Sequence, residues 1–148
     1  MTAGFPDAAA RLTAASGRVG ARAMEIAITD DPTFRERHDE IALRHLLRDT
    51  EVYIERLAKA LASADPSFAR SWADAAAPLY RRRGVPMDDL VRISEGLRLA
   101  VKAVLAPGER EPVEVALDEA IASFRRYRRI AGDARKRNRL LQFLYKGA

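Results

Sequence analysis

A chain of 148 residues with 48% hydrophobic and 32% charged side chains has the size and composition of one globular domain, far from the disordered range. It has no cysteine, which excludes disulfides, iron–sulfur clusters and thiolate zinc sites. The net charge of +5 sits at one end: residues 125–148 hold nine basic side chains against Asp133 alone, while the rest of the chain is mildly acidic at −3. No apolar run approaches the ~20 residues of a membrane span. The first residues lack the basic-then-apolar order of a secretory signal, so a cytoplasmic protein is expected.

Residues 7–28 are alanine-rich, with Leu12, Val19, Ala23 and Ile26 at helical spacing. Gly17 and Gly20 each cost about 1 kcal/mol relative to alanine in a helix, so a break is expected there. Thr29 to Pro32 reads as a turn, and a short helix is predicted from Pro32 to about His38. The next helix is predicted from about Asp39 to Ala62, with Leu43, Leu46, Leu47, Tyr53, Ile54, Leu57 and Leu61 on one face. Asp65-Pro66 is a cap followed by a preset first turn, opening a helix through Phe68, Trp72, Leu79 and Tyr80. Pro78 removes a backbone donor inside it and predicts a kink or break near Ala77.

The sharpest punctuation is Arg81-Arg82-Arg83-Gly84-Val85-Pro86-Met87-Asp88-Asp89. Three arginines suit the negative end of a helix dipole, and Gly84 suits a left-handed closing residue. Pro86 then presets a new helix, and Asp88 and Asp89 read as carboxylates at its positive end. That helix is predicted to reach Leu105, where Pro107-Gly108 stops it. The last helix is predicted from Glu111-Pro112 to about Tyr145.

The last helix carries a three-and-four spacing of Leu117, Ala120, Phe124, Tyr127, Ala131, Ala134, Asn138, Leu141 and Tyr145. Sustained over about four heptads, this is the seam of a coiled coil, with Asn138 placed to fix register. The alternative is a helix packed into its own domain up to about Ile130, followed by a solvated basic tail. The organisation expected is one helical domain, 1–148, with a bundle over 7–130 and a basic extension over 131–148.

Catalytic chemistry is not evident. His38 and His45 lie seven apart, without the three- or four-residue spacing or third ligand of a helical metal site, and read as surface histidines. No histidine occurs from Pro66 to Leu105 to serve as a haem ligand. There is no nucleophile elbow or glycine-rich phosphate loop, and Asp30-Asp31 and Asp88-Asp89 are accounted for by capping. A non-enzymatic chain with no metal and no cofactor is expected. Arg135, Lys136, Arg137 and Arg139 are candidates for binding phosphates of nucleic acid or of an anionic surface, though aromatics are sparse around them. Tyr53, Phe68, Trp72, Tyr80 and Met87 are candidates for an apolar ligand pocket, although such residues at helical spacing are more often plain core.

The runs Tyr53-Ile54-Glu55-Arg56-Leu57-Ala58-Lys59-Ala60-Leu61, Asp65-Pro66-Ser67-Phe68 and Arg83-Gly84-Val85-Pro86-Met87-Asp88-Asp89-Leu90 resemble the helical N-terminal regions of bacterial signalling regulators. These are the non-haem, globin-like sensor domain of RsbR-type stressosome proteins and the helical segment before cobalamin-binding domains. The resemblance covers about residues 40–125. It implies an all-α, globin-like bundle of about five to six helices that dimerises and passes a stress signal through a long C-terminal helix. No STAS, cobalamin-binding or DNA-binding domain follows within the 148 residues, so the resemblance implies a free-standing sensor or adaptor, or part of a longer protein. The expected interface is Leu117, Phe124, Tyr127, Leu141 and Tyr145, with Asn138 setting register, in a homodimer that engages an effector protein or domain. Nucleic acid is the second-choice partner, and a small-molecule sensor with a pocket near Trp72 and Tyr80 the third reading.

Overall fold

A computed structural model describes the backbone of residues 4–146 and the side chains of residues 4–128. The described chain is all-α, a helical bundle without strands. Its helices are α1 (Pro6–Ala14), α2 (Ser16–Asp30), α3 (Phe34–Arg37), α4 (Glu40–Ser63), α5 (Ser67–Arg82), α6 (Met87–Ala100) and α7 (Glu111–Lys146). Two 3-10 turns, Val101–Ala103 and Pro107–Glu109, join α6 to α7. Among the described residues no helix is long and apolar enough to cross a membrane.

The predicted signals hold at most ends. Asp39 caps α4, its Oδ1 accepting from the Ala42 amide at 2.8 Å. Asp65 accepts from the Ser67 amide at 2.9 Å as α5 opens. Gly84 closes α5 at φ 76°, and the Val85 amide reaches back to the Tyr80 carbonyl at 2.9 Å. Three boundaries differ. The first helix divides at Ala15, between α1 and α2, and passes unbroken through Gly17 and Gly20. Packing decides this: α1 lies against α4, with the Phe5 amide bonded to the Leu61 carbonyl, while α2 runs chiefly along α6. Helix α5 continues through Pro78 to Arg82, held by its buried Ala73, Ala77 and Tyr80. Helix α6 ends at Ala100 and tightens into a 3-10 turn before Leu105.

One core runs through the body, from Ala8 in α1 to Phe124 in α7. Its largest fully buried side chains include Phe34, Tyr53, Leu57, Leu61, Leu90, Leu97, Leu117 and Phe124. Helices α2 and α6 approach so closely that a Cβ on Gly96 would stand 2.5 Å from the Ala23 carbonyl oxygen. Only glycine permits that contact. Two polar groups inside the core pair with each other: the Tyr53 hydroxyl lies 2.8 Å from Ser94 Oγ, which itself donates to the Leu90 carbonyl at 2.8 Å. Burial, ahead of any neighbouring charge, pushes the Tyr53 hydroxyl pKa up, so the group stays protonated as a donor.

Helix α7 has 36 residues, roughly 54 Å at 1.5 Å per residue. Its first half packs on α5 and α6, burying Val113, Ala116, Leu117, Ala120, Ile121 and Phe124. Arg98 ties α6 to this half, reaching Glu114 and Asp118 as well as Glu95 in its own helix.

Candidate functional site

Asp89 is the most deeply buried charge of the body, 1% exposed at the start of α6. A carboxylate there can survive only with several donors aimed at it. Four bonds or ion pairs converge. Arg37 grips it with two nitrogens, Nη2 to Oδ1 at 2.8 Å and Nε to Oδ2 at 3.2 Å. His38 Nε2 lies 2.7 Å from Oδ2, so with the carboxylate ionised the ring carries its proton on Nε2. Arg92, one turn along α6, adds a longer contact at 3.4 Å.

The network extends into the link between α2 and α3. Arg37 Nη2 also reaches Asp31 Oδ2 at 2.6 Å, and Arg37 Nη1 donates to Thr33 Oγ1 at 2.6 Å. Thr33 donates both its hydroxyl and its amide to Asp31 Oδ1. Phe34, fully buried, stacks at a tilt on the His38 ring at 4.8 Å. The short helix α3 is thus fastened to α6 by one aromatic and one ion-pair network.

The Thr33 hydroxyl and the Arg37 guanidinium hold the Asp31 carboxyl well below the usual range, from 3.8 to about 2. A carboxylate with a depressed folded pKa stabilises the fold above the unfolded value and loses that contribution as pH falls through the folded one. Asp31→Asn should therefore flatten the fall in stability between about pH 4 and pH 2, measured by urea midpoints across that range. Asp65 and Glu109, lowered chiefly by backbone amides, add slope of the same sign and remain in the variant.

Beside this network an open groove of about 380 Å³ lies between α2 and α4. Met24, Ile28, Leu43 and Leu47 are the larger apolar side chains that line it, with Ala21 and Thr29 beside them. Glu25, Arg35, Glu40 and Arg44 are its charged lining residues. Helix α3 borders the groove through Arg35 and holds Asp89 through Arg37.

The sequence-predicted residues fall in three places. Leu117 and Phe124 have no exposed surface, and Tyr127 packs against the same core. Leu117 and Phe124, expected at an interface, lie inside the bundle against its other helices, and Tyr127 is half-buried beside them. Asn138, Leu141 and Tyr145, with Arg135, Lys136, Arg137 and Arg139, lie outside the described side chains. Of the pocket candidates, Tyr53, Tyr80 and Met87 are buried, while Phe68 and Trp72 are half-buried. Tyr53 stacks on Trp72 at 4.4 Å, and Phe124 meets both rings edge-on. Tyr80 donates to Asp49 Oδ2 at 2.8 Å, and burial with this neighbour raises its pKa. None of the five borders the groove between α2 and α4.

His45 is exposed, but His38 is buried, which corrects its reading as a surface histidine. Asp89 likewise does more than cap a helix. One signal for it was present in the sequence: Asp89 stands four residues before Ile93 and eight before Leu97, on the buried stripe of α6. Nothing local announced its two principal partners, His38 and Arg37, which lie 51 and 52 residues away.

No protein family matches this chain, nor does any curated protein or solved structure.

Proposed function

We propose that this chain is a non-enzymatic helical signalling or protein-interaction domain, whose last helix is the output element and forms a homodimer. The observation that carries the reading is the division of α7. Up to Tyr127 its buried apolar stripe belongs to the core of the bundle, which couples the helix to α5 and α6. The same helix then runs on from residue 129 to Lys146, roughly 27 Å at ~1.5 Å per residue. That second half keeps the three-and-four spacing through Asn138, Leu141 and Tyr145, which suits a two-stranded seam with a polar register residue. Because Leu117 and Phe124 are taken up internally, the proposed interface is confined to these later positions.

The test is molar mass by size exclusion with light scattering on the full chain and on the double variant Leu141→Arg, Tyr145→Arg. The expected result is a dimer that becomes a monomer in the variant with its helical content retained in the body. A monomer in both would overturn the dimer.

A second reading is favoured by the charge distribution, +8 over residues 125–148 against −3 elsewhere. In it Arg135, Lys136, Arg137 and Arg139 neutralise nucleic-acid phosphates. Arg126 and Arg128, at the start of the run, already pair with Asp74 and Asp88 at 2.8 and 2.7 Å. This draws part of the basic charge back to the body and ranks the reading second. Duplex affinity that falls steeply with salt, and disappears when those four residues become alanine, would move it to first.

A further inference from the structure

We propose that the groove between α2 and α4 is a binding site for a small free carboxylate with a linear apolar tail. The volume, about 380 Å³, lies within the ~300–1,000 Å³ range of small-molecule sites. Met24, Ile28, Leu43 and Leu47 give it an apolar lining suited to an alkyl chain.

The charge at the groove selects the head group. Glu25 is paired with Arg22 at 2.9 Å and Glu40 with Arg44 at 2.7 Å, so each lining carboxylate already has a basic partner. Arg35 makes no ion pair among the described residues, which leaves one uncompensated cation beside an apolar trough. A guanidinium in that position favours a carboxylate over a neutral or cationic head.

The backbone that carries Arg35 is also held in place. Phe34 on one side is fully buried, and Arg37 and His38 on the other are bound to Asp89. A guanidinium on a fixed backbone loses less freedom on binding than one on a mobile loop. The site does not depend on the reading of α7 as the output helix.

Octanoate and 1-octanol, titrated separately into the full chain labelled for amide and methionine-methyl resonances, test the proposal. Octanoate is expected to shift the Met24 methyl and amides of residues 21–29 and 40–47. Arg35→Glu is expected to weaken octanoate by roughly tenfold or more while leaving 1-octanol little changed. Ala21→Trp, at an exposed position lining the groove, is expected to weaken both ligands. The proposal is overturned if shifts centre on the exposed Leu79, Leu99 or Val115. It is equally overturned if the Arg35 variant binds octanoate as the parent does, or if neither ligand shifts the Met24 methyl.

Discussion

Phe124→Ala should lower the unfolding free energy by about 3–5 kcal/mol, because it empties an aromatic-sized volume in a core that has no exposed route to refill it. The ring touches Tyr53 and Trp72 edge-on, at centroid distances of 6.5 and 6.1 Å, and closes the contact between α7 and the rest of the bundle. Denaturant unfolding followed by Trp72 emission reads the loss directly, since that is the only tryptophan in the chain. The loss should be the same at low and high protein concentration. If Phe124 instead sat between two copies, the variant would dissociate with little change in the stability of each copy. The same reasoning covers Leu117, also fully buried, where the cost to alanine is about 2–5 kcal/mol.

The second large effect is at Asp89. Its removal leaves Arg37 and His38 facing a carboxylate-shaped space, His38 being 5% exposed. Breaking a buried ion pair by removing one partner costs about 3–5 kcal/mol in general. Arg37 is 32% exposed and keeps Asp31 as a partner, so Asp89→Ala should fall at the lower end, about 3 kcal/mol. Asp89→Asn, which keeps an oxygen and the shape, should cost less. The Phe34 and His38 resonances should broaden or shift in the alanine variant as α3 loosens from α6. A loss below about 1 kcal/mol would mean that Phe34 alone fastens α3 and that the network around Asp89 is incidental.

These two predictions also mark where the sequence was legible. Periodicity located the helices because each has one apolar stripe, and local chemistry located their ends at Asp39, Asp65 and Gly84, where the bonded groups lie within five residues of each other. Pro78 and the pair Gly17 and Gly20 misled, since the penalties they carry, about 1 kcal/mol for each glycine and about 3 kcal/mol or more for the proline, are smaller than the packing of the helices that contain them. The spacing of α7 was ambiguous for a physical reason. A three-and-four stripe buries equally well against its own bundle or against a second chain, and periodicity carries no information about which. Phe124 and Leu117 resolve toward the bundle only once α5 and α6 are placed beside them. The network around Asp89 was hidden by sequence distance: Arg37-His38 and Asp89 become neighbours only through the packing that also brings Ala23 against Gly96.

Hydrogen exchange along α7, measured at two widely separated protein concentrations, tests the central claim most directly. The account predicts that amides of residues 113–127 exchange with the protection of the global fold at both concentrations, because their side chains lie in the core. It predicts that amides of residues 131–146 gain protection at the higher concentration, as the seam through Asn138, Leu141 and Tyr145 forms between two copies. Protection over residues 131–146 that does not change with concentration would contradict it, and would leave this half of the helix without a role in self-association.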